Sequence, residues 1–267
     1  MSPAQKKFRK QSSRKAGYLA AITRSAARWF LLLLVVFPVL LILRPRFEAP
    51  KWIYPDLGVR IPPGWGAVGF DVSHWQGRIQ WDQVGTGEVN PQFVWLKVSE
   101  GSTILDHQYR RNRKGAGEVK LLHGTYHYLH PRAGGSVQAH YFLKHADLKS
   151  GELVPVLDIE EHSGMSVAEV QQEVLDWLEG VSVSCKCEPI IYCSRYYFET
   201  YFQTDKRFEN HRFWVALYGR RQLELAEGDK RIILWQFSDQ GQINGIAEKV
   251  DLNVLRQGLS LESLLIP

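Results

Sequence analysis

The chain has 267 residues, 45% of them hydrophobic, enough to bury a sizeable core in one domain or two. Its formal charge of +5 is unevenly placed: residues 1–47 hold ten Lys or Arg and no acid, which leaves 23 basic against 28 acidic residues from 48 onward. That remainder lacks the electropositive surface nucleic-acid binding requires, so no nucleic-acid partner is expected.

Residues 1–28 read as a basic tail, and residues 29–43 (WFLLLLVVFPVLLIL) are apolar without a charge. As a helix this stretch spans about 22 Å, short of the ~30 Å hydrocarbon core. Arg28 and Arg44 can snorkel at its ends, and Ala26 and Ala27 can extend it, so spanning is feasible. A cleaved signal peptide is the alternative. The long basic lead, and RPRFEAPKW where a small-residue cleavage site would fall, favour an uncleaved single-pass anchor. Eight basic residues precede the span and two follow it, which keeps the N-terminus cytoplasmic and exports the rest. Residues 44–66, with five prolines, read as a stalk. Residues 67–267 then form the folded domain.

Eight short apolar runs follow, at 68–72, 93–98, 121–128, 153–159, 189–193, 213–217, 231–237 and 249–252. Most are continuous rather than alternating, the pattern of strands covered on both faces. Segments able to be helical separate the first six runs. In SVAEVQQEVLDWLEGV, Ser166 and Glu169 have capping-box spacing, and Val170, Val174, Trp177 and Val181 share one face. Segments 138–146 and 195–202 are shorter candidates. The connections at 219–230 and 238–248 are rich in Gly, Asn, Asp and Gln and lack helical periodicity. The fold class is therefore α/β, a TIM-like β/α barrel with five regular βα units and three late strands without proper helices.

Cys185, Cys187 and Cys193 lie within nine residues, an odd number, and buried or mutually paired thiols explain them better than zinc, for which no fourth ligand stands at a usual spacing. His123, His127 and His130 also suggest a metal. Strand period two sends His123 and His127 to one side and His130 to the other, so neither a metal nor another cofactor is expected.

Strand ends in a parallel barrel carry the chemistry. Asp71 stands in VGFDVSHWQG, Asp158 and Glu160 in VPVLDIEEH, and Asp251 in KVDLN. Period two places Asp158 and Glu160 on one face, roughly 7 Å apart at Cα. Repulsion and desolvation at a barrel mouth raise a carboxyl pKa, as a proton donor to a glycosidic bond requires. Lys97 and Glu100 in LKVSEG fit a cleft or an ordinary surface pair. Tyr126, Tyr192, Trp214 and Gln236 fit a cleft or the core, and His127 is the histidine placed nearest substrate. The run 109–114 (YRRNRK) fits a solvated face or a hold on anionic polymer.

The succession GFDVSHWQG, FVWLKVSEG, GTYHYLHP, PVLDIE, PIIYCS, FWVALY, LWQFSD and VDLN resembles the glycoside hydrolase family 25 lysozymes over about residues 66–256. The resemblance implies a barrel of this kind and N-acetylmuramidase activity on peptidoglycan glycan strands. By position in the motifs it implies Glu160 as general acid, Asp158 as its companion orienting the substrate's 2-acetamido group, and Asp71 and Asp251 as flanking acids. Asp239 in WQFSD fits that last role less well. With a peptidoglycan substrate, the membrane is the bacterial inner (cytoplasmic) one, with the domain on its outer, periplasmic side. A barrel that binds peptidoglycan without cleaving it, or one that hydrolyses another amino-sugar polymer such as chitin, are the competing expectations.

Overall fold

The apolar runs become the staves of a closed barrel. The computed structural model describes residues 65–87, 90–218 and 228–267, with 53–54, 59–60 and 62. The basic tail, the apolar span and most of the stalk lie outside these residues. Among the described residues no helix is long and apolar enough to cross a membrane.

The strands are β1 (Trp65–Val72), β2 (Phe93–Glu100), β3 (Leu122–Tyr128), β4 (Val156–Ile159), β5 (Ile190–Ser194), β6 (Arg212–Ala216), β7 (Ile232–Gly241) and β8 (Val250–Arg256). Each matches one expected run. β1 begins two residues before the expected domain edge, because Trp65 pairs with Arg256 and packs against Trp235 with ring centroids 5.4 Å apart at a 59° tilt.

β1 through β7 pair in parallel, each with its successor. β8 runs antiparallel to both β7 and β1 and closes the ring. This reversal explains why 238–248 carries no helical pattern: antiparallel neighbours need no crossover.

Helices α1 (Tyr109–Glu118), α2 (Gly135–Ala146) and α3 (Val167–Cys185) follow β2, β3 and β4. After β5 the short α4 (Arg195–Tyr197) continues into a π-helical turn, Phe198–Phe202. The first of the five expected helical connections is instead built from two 3-10 turns, His74–Gln76 and Trp81–Gln83. The capping box of α3 forms as its spacing predicts, and Val170, Val174, Trp177 and Val181 are all buried. In α1 the basic run is divided: Arg110, Arg111 and Lys114 are exposed. Arg113 turns inward, donating to Glu152 Oε1 at 2.6 Å.

Two apolar layers hold the barrel. One fills the space between strands and helices. The other fills the lower lumen, from Phe93, Trp95, Val154, Val156, Ile190 and Leu255, with Leu264 and Ile266 of the C-terminal segment packed beneath. Gly69 and Gly124 make room for the lumen aromatics: a Cβ at Gly69 would lie 2.2 Å from the Phe93 ring, and one at Gly124 2.5 Å from Trp95 Nε1.

Cys185 and Cys187 are joined in a disulfide, and Cys193 in β5 is a buried free thiol.

Candidate active site

Along each inward strand face the side chains change from apolar to polar toward one end of the barrel. On β2 the order is Phe93, Trp95, Lys97; on β4 it is Val156 then Asp158, with Glu160 just past the strand; on β5, Ile190 then Tyr192. On antiparallel β8 the order is reversed, with Asp251 first and Leu255 last. Asp251 therefore reaches the same mouth from a strand's beginning rather than its end, directly opposite Asp71 of β1 in the register.

The resulting cleft is lined by all four expected acids and by Lys97, Tyr126, Tyr192, Trp214 and Gln236. The floor is a fixed polar network. Trp214 Nε1 donates to Asn253 Oδ1 at 3.0 Å, which turns Asn253 Nδ2 toward Asp71 Oδ2 at 2.8 Å. Gln236 Nε2 donates to the same oxygen at 2.9 Å, and its own Oε1 accepts from Tyr192 Oη at 2.6 Å and from Tyr218 Oη.

Burial pushes the Asp71 carboxyl well above the usual range, the Asp251 charge adds to this, and the two amide donors oppose it. Asp251 is raised to about 6, by desolvation first and then by neighbouring acids. Asp158 is 8% exposed and is raised by burial, with the Glu160 charge next. Its Oδ1 has no hydrogen-bond partner among the described residues. Glu160 stands exposed to solvent in the mouth. The walls around it still raise its pKa, against the pull of the Tyr192 hydroxyl and Lys97. Solvent reaching the carboxylate moderates that rise.

Two expected substrate contacts lie elsewhere. His127 is fully buried on the outer face of β3. Its ring stacks 5.8 Å from Trp177 and meets Phe142 edge-on at 5.9 Å, with Nδ1 2.8 Å from Ser99 Oγ. Desolvation lowers its pKa to about 4, so it is neutral at pH 7. Its neighbour Tyr126 faces the cleft, and successive strand residues face opposite ways, so both cannot line it. Glu100 sits at the rim with its oxygens taken up by Lys97 Nζ (2.6 Å) and His130 Nε2 (2.7 Å). It orients Lys97 rather than lining the cleft. Asp239 is exposed and outside the cleft lining.

Sequence reasoning missed Tyr128, Asn253, Tyr218 and the Ser73–Gln76 turn. Tyr128 and Asn253 follow Tyr126 and Asp251 by two residues, so period two placed them on the inward face. Tyr128 lies under Lys97, whose Nζ is 4.9 Å from the ring centroid. Tyr218 follows β6 and carried no such signal.

A closed barrel that gathers four carboxylates with raised pKa values between aromatic walls at one mouth has the equipment of a glycoside hydrolase. The chain belongs to glycosyl hydrolases family 25, whose family model matches residues 70–246. It is 37% identical over 202 residues to the protein YegX of Escherichia coli (strain K12), covering 74% of this chain and 73% of that one. Lysozyme M1 of Streptomyces globisporus is 27% identical over 230 residues, covering 76% and 78%. The crystal structure of the bacterial lysozyme from Streptomyces coelicolor superposes with a TM-score of 0.67 at 28% identity, covering 74% of this chain and 95% of that one.

Proposed function

We propose that this glycosyl hydrolase is a peptidoglycan muramidase, cleaving the β-1,4 bond between N-acetylmuramic acid and N-acetylglucosamine. The observation that carries the reading is the convergence of Asp158 and Glu160 from β4 with Asp71 and Asp251 from β1 and β8 in one aromatic-lined cleft. In this reading Glu160 protonates the glycosidic oxygen as its bond to the anomeric carbon breaks. The substrate's acetamido oxygen closes on that carbon from the other face, and Asp158 accepts the acetamido N–H. The buried, unpartnered Oδ1 of Asp158 supports that role. Water then opens the ring intermediate, passing its proton to the Glu160 carboxylate, and the β-anomer is retained.

The test is reducing-end release from purified peptidoglycan compared with chitin. Release from peptidoglycan with little from chitin is expected. Preference for chitin would reassign the substrate, and binding without release from either would make the barrel a non-catalytic module.

Lys97 should set the upper pH limit. A donor works only while protonated, so activity falls as pH rises through the Glu160 pKa. Lys97 holds that pKa down. In Lys97→Met the basic limb of the kcat/KM profile is therefore expected to move to higher pH; an unmoved or lowered limb contradicts this.

We also propose that residues 29–43 anchor the enzyme in the bacterial inner membrane with the barrel outside, a reading supported by the uncharged apolar span and the basic lead before it. Carbonate-washed membranes should retain the full chain, and external protease should reach the barrel. Release into the wash, or a mature N-terminus beginning after Leu43, refutes the anchor.

A further inference from the structure

Trp75 is 75% exposed at the rim of the cleft, beside Ser73 and Gln76 and on the wall that carries Asp71. An isolated exposed tryptophan needs no explanation, but the turn that carries this one is pinned from both sides. Ser73 Oγ accepts from Trp75 N at 3.2 Å, and Gln76 Oε1 accepts from Ser73 N at 2.9 Å, a closed capping box around a 3-10 turn. On one flank the His74 backbone N–H donates to Asp106 Oδ2 at 2.7 Å, and His74 Nδ1 lies 3.0 Å from the same oxygen. The Asp106 side chain is fully buried. On the other flank Gln76 Nε2 donates to the Lys249 carbonyl at 3.1 Å, tying the turn to the residue that precedes β8 and Asp251. The His74 ring lies 4.8 Å from the indole at a 33° tilt and backs one of its faces. Most of the side chain is left to solvent.

An exposed indole carried on a pinned turn, with an imidazole against it and carboxylates along the adjoining cleft, suits a flat, partly apolar ligand. Pyranose rings offer such faces in their axial C–H groups, which lie well against an aromatic ring. We propose that Trp75 is a sugar platform, stacking one hexopyranose of the glycan strand at the β1 rim and so extending the cleft beyond the two residues flanking the scissile bond. The identity of those sugars rests on the muramidase reading. A platform away from the reacting atoms binds ground state and transition state alike, so its loss appears in KM rather than kcat.

The experiment compares Trp75→Ala and Trp75→Tyr with the wild type on soluble peptidoglycan strands, and repeats strand binding by calorimetry in a Glu160→Gln background. Trp75→Ala is expected to raise KM and Kd about tenfold with kcat within about twofold, and Trp75→Tyr to restore most of the loss. Thermal midpoints should match, since the side chain is exposed. An unchanged KM and Kd in Trp75→Ala, or a fall in kcat at constant KM, overturns the platform while leaving the muramidase reading intact. Strands neither bound nor cleaved by the wild type would overturn both.

Discussion

Glu160→Gln is expected to lower peptidoglycan turnover by roughly 10²–10⁴-fold, equivalent to about 3–5 kcal/mol of barrier, the usual cost of losing general-acid assistance. The amide keeps the shape of the side chain and removes the transferable proton. The thermal midpoint at pH 7 should hold or rise. Glu160 has a pKa raised in the folded state, so ionising it at pH 7 weakens the fold relative to acid conditions, and glutamine has no such cost. The control is Glu161→Gln. Glu161 Oε1 lies 3.4 Å from His130 Nδ1, and the residue does not line the cleft. Near-full activity in Glu160→Gln, or a loss in Glu161→Gln instead, would falsify the assignment of the proton donor.

Trp177→Ala is expected to destabilise the domain by about 3–5 kcal/mol, a large share of the stability of a typical domain. Trp177 is 0% exposed and sits between Phe142 of α2, 5.3 Å away, and the ring of His127. Removing the indole leaves a cavity bounded by α2, α3 and β3 that rigid elements cannot collapse to fill. Denaturant unfolding measures the loss. KM should be unchanged at temperatures where the variant remains folded, because Trp177 and His127 lie behind the barrel wall. A variant with wild-type stability, or one whose main defect is in KM, would return His127 to the substrate side and contradict the packing.

The sequence determined the staves and the acids. Short continuous apolar runs bounded by turn residues suit strands covered on both faces, so all eight were legible. The α3 face from Val170 to Val181 was legible for the same reason, since burying one stripe fixes the helix period. Asp158 and Glu160 were found together because strand period two is a local property. What lay beyond it depended on which face of each strand turned inward. Tyr126 fitted either cleft or core and His127 was the histidine placed nearest substrate; only the barrel's curvature decided that Tyr126 enters the lumen while His127 meets Trp177. Glu100 fitted a cleft or a surface pair equally, and the occupation of its oxygens by Lys97 and His130 decided it. Asp251 was read as an acid at the end of a parallel strand, yet it begins an antiparallel one and reaches the same mouth through that reversal. Asn253, Gln236 and Asp71 are up to 182 residues apart and meet through side-chain hydrogen bonds. Strand propensity and motif order are written in short windows of sequence; ring closure, the direction of the last strand and the partners of buried polar groups are set by contacts between distant segments, which exist only once the barrel has closed.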